Sequence, residues 1–246
     1  MNIIVTSGGT REPIDSVRSI TNHASGRLGA IIADAFAAQE QVDYVVYVCG
    51  SRSVMPKSPK VETVNIEGTH DLERVLRELT AKETFGAIIH SMAVSDYRVR
   101  RVTTVSAMAE AAIHAEQTQD GVASAMIEAD YLASKGKISS KVEDLAILLE
   151  RTPKIIGLLR GLAPDAVIVG FKLLDGVSHE KLMETAQKLL EKNDCDFVLA
   201  NDMDTVKSPV HCGFLLDDQG SETLFEGKES IAKGIVDAVM QKAAVT

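Results

Sequence analysis

The stretch Asn2-Ile3-Ile4-Val5-Thr6-Ser7-Gly8-Gly9-Thr10 decides the fold. Asn2 to Thr6 is mostly apolar and β-branched, the composition of a strand with little face left for water, and Ser7-Gly8-Gly9-Thr10 breaks it into a glycine turn. Nucleotide-binding α/β folds open in this way. Outward from it, residues 43–49 (DYVVYVC) and 86–90 (GAIIH) are near-continuous apolar runs, suited to central parallel strands covered on both faces. Between them, Val61 to Ile66 reads as a short strand, and Thr69, Asp71, Leu72, Val75, Leu76 and Leu79 make a capped amphipathic helix. A helix from about Ala24 follows the first turn, so the first half reads β-α-β-β-α-β. Asp165 to Phe171 and Phe197 to Ala200 are further buried strands, separated by a helix from about Ser178 to Lys192. This alternation predicts an α/β, Rossmann-like, mostly parallel sheet with helices on both faces.

Three other segments read differently. Leu145 to Glu150, with the pair Gly213 to Leu216 and Thr223 to Phe225, is expected to form a small antiparallel hairpin appendage. Residues 103–136 are Ala-, Ser- and Glu-rich and weakly amphipathic, with Tyr131 as their one aromatic anchor, and 101–136 is expected to be a mobile helical lid or arm. Lys228 to Ala244 is a closing helix. The chain of 246 residues, 45% of them hydrophobic, is read as a single domain over 1–246.

Charge narrows the partners. With 26 basic residues against 35 acidic ones the net charge is −9, so neither a nucleic acid nor an anionic membrane is expected. No apolar run approaches the roughly 18 to 20 residues that span a bilayer, and MNIIVTSGG is no signal peptide, which points to the cytoplasm. Cys49, Cys195 and Cys212 are widely spaced, without a CxxC pair, and are read as reduced. Phosphate chemistry must therefore rely on a few local cations.

Parallel sheets bind ligands outside the carboxyl ends of their strands, so the segments after the apolar runs are the ones to read. After the first strand come Arg11, Arg18, Asn22, Arg27 and several glycines, over a connection from Arg11 to His23 too long for an ordinary βα loop. Small residues let backbone N–H groups approach an anion. After GAIIH comes Ser91-Met92-Ala93-Val94-Ser95-Asp96, which can offer amides to a base and a carboxylate to a ribose; a plain turn with Asp96 as helix N-cap is the alternative. Lys135-Gly136-Lys137-Ile138-Ser139-Ser140-Lys141 concentrates three cations and two hydroxyls, suited to a polyphosphate or to a solvated loop. No GxGxxG, HExxH or Gly-x-Ser-x-Gly motif is present, which weighs against a nicotinamide-dependent reductase, a zinc protease and a serine hydrolase.

Taken together, GGTREPID-x-VR-x-I-x-NHASGRLG, AVSDYR, KISSK, GFKLL and ANDM, in that order, resemble the phosphopantothenate–cysteine ligase family, from Asn2 to the closing helix. The resemblance implies a ligase that joins 4′-phosphopantothenate to L-cysteine in coenzyme A biosynthesis. The carboxylate is activated as an acyl-nucleotide, an acyl-cytidylate if CTP is the co-substrate, with ATP as the other option. It further implies Mg²⁺, no flavin, a homodimer, and a separate decarboxylase acting next in the pathway.

Residue by residue, the resemblance makes Asn22 the amide that holds the acyl carbonyl, Arg18 an aid to amide formation and Lys137 the cation on the triphosphate. Nucleotide contacts are carried over to His90, Ser91, Met92, Asp96, Pro153, Lys154, Ile155, Ile156 and Phe171. Lys188 and Lys192 join them when one residue is inserted before Asp196. Gly8, Gly9 and Ala93 join Asn22 on the substrate. Metal ligands do not follow from it. Two rival readings are an NAD(P)-dependent Rossmann-type reductase and a non-catalytic nucleotide-binding module. Pyrophosphate release that needs both phosphopantothenate and a nucleotide separates the three.

Overall fold

The computed structural model describes residues 1–129, 132, 136–207 and 211–244. In chain order the strands and helices are β1 Ile3–Ser7, β2 Arg11–Pro13, β3 Ser19–Thr21, α1 Arg27–Ala37, β4 Val45–Gly50, β5 Val61–Ile66, α2 Thr69–Lys82, β6 Ala87–His90, β7 Tyr97–Thr104, α3 Val105–His114 and α4 Gln119–Glu128. They continue with β8 Leu145–Arg151, α5 Ile156–Leu162, β9 Val167–Leu174, α6 His179–Asn193, β10 Phe197–Asp202, α7 Met203–Lys207, β11 Cys212–Asp217, β12 Glu222–Glu226 and α8 Lys228–Ala243. The chain divides into two compact units. One holds Met1–Thr10, His23–Val94 and Lys154–Thr246; the other holds Arg11–Asn22 and Ser95–Pro153.

The first unit is built on an eight-stranded sheet of order β12-β11-β10-β9-β6-β1-β4-β5. Pairing is parallel from β5 to β10, with Ile3 opposite both Val45 and Ala87. The apolar runs expected to be buried are buried, and their alternation divides them between two cores. Ile3, Val5, Tyr47, Ile89 and Val169 point to one face, where α1 and α8 cover them with Ile32, Phe36, Ile231 and Ile235. Ile4, Val46, Val48, Ile88, Ile168 and Val198 point to the other, under α2, α5 and α6 with Leu72, Leu76, Leu159 and Leu182. Each fully buried Val, Ile, Leu or Phe stabilises by about 1.5–3 kcal/mol relative to exposure. A polar residue at either set of strand positions would lose that on a face with no water.

The β11–β12 hairpin is antiparallel, as expected, and lies at the edge of the main sheet. It extends the main sheet antiparallel to β10, with Phe197 opposite Asp217, because its apolar residues Leu215 and Leu216 each have a core to enter. Leu145 to Glu150 pairs elsewhere.

The second unit carries the separate antiparallel pieces. β8 pairs with β7, from Tyr97 opposite Arg151 to Thr104 opposite Leu145. The strand β7 was not evident in the sequence, since YRVRRVTT has few apolar residues and three arginines. β2 and β3 form a short hairpin inside the long connection after β1. Residues 105–128 are two helices with no buried residue, α3 and α4, capped by Thr104 and Thr118. The helical expectation for 101–136 is met over 105–114 and 119–128, but residues 101–104 belong to β7, drawn into a strand by pairing with β8, and Tyr131 and Lys135 lie outside the described residues.

Candidate active site

In the first unit the chain leaves β1, builds β4 and β5 on one side, then returns to place β6 on the other. The carboxyl ends of β1 and β6 therefore flank a topological switch point, the place where open α/β sheets take their ligands. Backbone bonds carry the two segments past the sheet edge together. Ser91 N–H donates to the Thr6 carbonyl (3.1 Å), Ala93 N–H to that of Gly8 (2.8 Å) and Thr10 N–H to that of Ala93 (3.3 Å). Gly9 and Ala93 form a parallel bridge. Gly8, Gly9, Ser91 and Ala93, expected at a site from the sequence, thus stand side by side.

Glycine is required here for two reasons. Gly8 and Gly26 have φ of 77° and 71°, the left-handed region that other residues enter at a cost. A side chain at Gly29 would run into Ser7 and Ser91. Its absence lets α1 approach the end of β1, where the Ser7 hydroxyl donates to the Gly26 carbonyl (3.1 Å). The N-cap of α1, Gly26, has no side chain, the Ser25 hydroxyl accepts from the Arg27 amide (3.4 Å), and the first turn has no acidic residue, so the dipole of α1 suits an anion. The roles that GxGxxG fulfils within six residues are here divided between Gly8 and the Gly26–Gly29 turn, with Arg11–Asn22 inserted between. The missing motif in the sequence is an interrupted one.

His90 ends β6 and is only 6% exposed. Its Nδ1 lies 2.8 Å from the Thr6 hydroxyl, and burial pushes its pKa down to about 4. The imidazole is neutral at neutral pH and contributes hydrogen bonding, not charge. The Ser91 hydroxyl donates to the Thr6 carbonyl (2.7 Å). Met92 and Ile155 point into the core under α2, α5 and α6, so their side chains are packed away from the switch point. Phe171 is half-buried against the opposite core, Lys154 is exposed, and Ile156 is the half-buried first residue of α5.

Lys188 and Lys192 are placed elsewhere. α6 leaves the carboxyl end of β9 and delivers the chain to the amino end of β10. The last turns of α6 therefore stand toward the amino ends of the strands, the edge away from Gly8 and Gly9. Lys188 there is 67% exposed and ion-paired with Glu184. The structure does not bring this pair to the switch point.

The second unit holds Arg18, Asn22, Asp96, Lys137 and Pro153. Its centre is Asp15, whose side chain is fully shielded from solvent. Oδ1 accepts from the amides of Val17 (2.9 Å) and Arg18 (2.8 Å). Oδ2 accepts from Arg18 Nε (2.9 Å), Arg18 Nη2 (2.5 Å) and the amide of Ile138 (3.1 Å). The Arg18 guanidinium, and then these amides, hold the carboxyl well below the usual carboxylate range. Arg18 Nη2 also donates to the Ile138 carbonyl (2.9 Å). Lys137, exposed, is thus one residue from an anchored peptide. Asn22 is exposed just after β3. Asp96, also exposed, stands just before β7 and caps no helix, and its carbonyl accepts from the Thr152 amide (3.1 Å) beside the half-buried Pro153. Asp15 stands in the GGTREPID motif but receives no role from the sequence; an acid three residues before Arg18, in a turn-forming stretch, is the available signal.

Among the described residues no three His, Cys, Asp or Glu side chains converge as a metal cage, and no helix is long and apolar enough to cross a membrane.

Strand order and the divided glycine turn define the first unit as a Rossmann-like α/β unit. The chain belongs to the family described as the DNA/pantothenate metabolism flavoprotein C-terminal domain, which it matches over residues 1–105 and 98–243. The coenzyme A biosynthesis bifunctional protein CoaBC of Thermococcus kodakarensis is 32% identical over 200 residues, 81% of this chain and 40% of that protein. The CoaBC of Methanocaldococcus jannaschii is 28% identical over 205 residues, again 40% of its length. The chain thus spans about two fifths of these relatives. The crystal structure of the DNA/pantothenate metabolism flavoprotein from Streptococcus pneumoniae superposes with a TM-score of 0.84 at 32% identity, over 98% of this chain and 99% of that one.

Proposed function

We propose that this protein is a phosphopantothenate–cysteine ligase of coenzyme A biosynthesis, acting in the cytoplasm. The observation that carries the reading is membership of the pantothenate-metabolism family over nearly the whole chain. The switch point, with glycines and amides ready for phosphates, supports it independently.

In the first half-reaction a carboxylate oxygen of 4′-phosphopantothenate attacks the α-phosphorus of a nucleoside triphosphate. A P–O bond forms, the α–β bridge breaks and pyrophosphate leaves. In the second, the amine of L-cysteine attacks the acyl carbonyl. The C–N bond forms, the nitrogen releases a proton and the nucleoside monophosphate departs. No covalent bond to the enzyme is needed. Lys137, a compact cation, offsets the charge gathering on pyrophosphate. The Asn22 amide donates to the acyl oxygen as it becomes negative, and Arg18 assists that half. In the first unit, Gly8, Gly9, Ser91 and Ala93 present backbone to substrate and nucleotide. His90 supplies a neutral polar wall, while Lys154 to Ile156 and Phe171 belong to the base pocket. In the second unit Asp96 offers a carboxylate to the ribose and Pro153 a nucleotide contact. Lys188 and Lys192 have no role in this scheme.

CTP is the proposed nucleotide and ATP the competitor. Mg²⁺ is the proposed metal; no three His, Cys, Asp or Glu side chains converge for it among the described residues, and with a nucleoside triphosphate it would supply neutralisation of polyphosphate charge. The protein is further proposed to act as a homodimer and to hand its product to a decarboxylase. The test is pyrophosphate release with CTP and ATP side by side, each with and without 4′-phosphopantothenate, followed by L-cysteine and detection of the amide. Release that is independent of phosphopantothenate, or absent with every nucleotide, refutes the reading.

A further inference from the structure

The second unit carries two cations that the proposed reaction uses in different halves, Arg18 and Lys137, more than a hundred residues apart in sequence. We propose that Asp15 is a positioning residue that ties both into one frame, gripping Arg18 by its guanidinium and the Lys137 segment by the amide of Ile138. This inference rests on the ligase reading for its kinetic consequences; its structural part stands alone.

The geometry is a closed ring. Asp15 Oδ2 accepts from Arg18 Nη2 and from Ile138 N–H, and Arg18 Nη2 returns to the Ile138 carbonyl. One peptide is held at both its N–H and its C=O. A shielded carboxylate with five donors is satisfied at every lone pair it can use, so it has one low-energy arrangement. Arg18 is not consumed by the pairing. Its Nη1 makes no hydrogen bond to the described residues, and 42% of its side chain is exposed. Arg18 is therefore held by its guanidinium fork, and exposed Lys137 hangs from a backbone anchored one residue away, at Ile138. Holding reacting groups in place is worth orders of magnitude in rate, and small displacements forfeit it.

Asp15→Asn tests this. Oδ1 can keep the turn amides, but an N–H now meets the donors of Arg18 and Ile138. Asp15→Asn is expected to lower kcat of both half-reactions, each by about 10²-fold. The loss should not multiply with Arg18→Gln in amide formation or with Lys137→Gln in pyrophosphate release, because Asp15 acts through those residues. Hydrogen exchange at residues 136–142 should accelerate by about tenfold or more, with the α/β unit unchanged. Half-reaction rates within about threefold of wild type, fully multiplicative double variants, or unchanged exchange at 136–142 would each overturn the proposal. If wild type releases no pyrophosphate, the ligase reading falls, and exchange still decides whether Asp15 holds the segment. Should Asp15→Asn not fold, Arg18→Lys serves: it keeps the charge but loses the fork that bridges Asp15 to Ile138, and normal amide formation in it refutes the proposal.

Discussion

His90 gives the first unit an acid sensitivity that can be calculated. It is 6% exposed, and burial lowers its pKa from 6.5 to about 4. In the unfolded chain the imidazole binds a proton near its ordinary value, so between these limits the unfolded state binds more protons than the native one. Stability therefore rises with pH through this window and falls as pH drops from about 6.5 toward 4. At about pH 5 the linkage integral gives a loss of about 2 kcal/mol, growing to about 3 kcal/mol near pH 4. Carboxylates held low, such as Asp15 by Arg18 and Glu184 by Lys188, lose most of their contribution only below their ordinary values of 3.8 and 4.5, so at about pH 5 histidine dominates. His211 is depressed in the same direction by burial and the Lys228 charge, and serves as the second site to subtract. The assay is urea unfolding at about pH 7.5 and about pH 5 for wild type, His90→Gln, His211→Gln and the double variant. His90→Gln should remove about 2 kcal/mol of the pH-dependent loss. An NMR titration should show the His90 ring unprotonated down to about pH 5. Equal pH dependence in wild type and His90→Gln, or a ring that titrates near 6.5, would refute the buried neutral assignment.

Other expectations are open to direct measurement. Gly29→Ala sets a methyl against Ser7 and Ser91 and should cost about 1–3 kcal/mol in denaturant unfolding, partly recovered by Ser7→Gly. Asn22→Asp places a carboxylate against a developing oxyanion. It should slow amide formation by roughly 10²–10³-fold and let the acyl-nucleotide accumulate in a chromatographic quench; normal amide formation would remove its role. Lys137→Gln should slow pyrophosphate release by roughly 10²-fold in a coupled assay, and a rate near wild type would contradict the charge argument. Burial pushes the Cys49 thiol up to about 11 and the Cys195 thiol up to about 12, so a thiol reagent at neutral pH should modify half-buried Cys212 first and the other two only on unfolding.

Much of this was legible in the residues. Near-continuous apolar runs such as VVYVC and GAIIH identify strands covered on both faces, because burial on two sides forbids polar alternation, and that constraint is local. The ordered motifs around Asn22, Asp96 and Lys137 carried the family. What escaped depended on pairing across the chain. β7 is rich in arginine and becomes a strand because β8 lies beside it, and the β11–β12 hairpin could attach to the sheet or stand apart until β10 presented an edge. The glycine turn of the first unit is divided by an insertion, so no spacing rule finds it. The resemblance carried Lys188 and Lys192 to the nucleotide only with one residue inserted before Asp196, and helix direction sets the last turns of α6 toward the amino ends of the strands. The sequence by itself determined the parallel α/β core and the list of chemically able residues, since hydrophobic periodicity and residue type are properties of the chain. Tertiary structure decided which of those residues stand together: only folding carries Ile138 to Asp15 and the Ser91–Ala93 segment to the glycines after β1, contacts between residues about eighty or more positions apart.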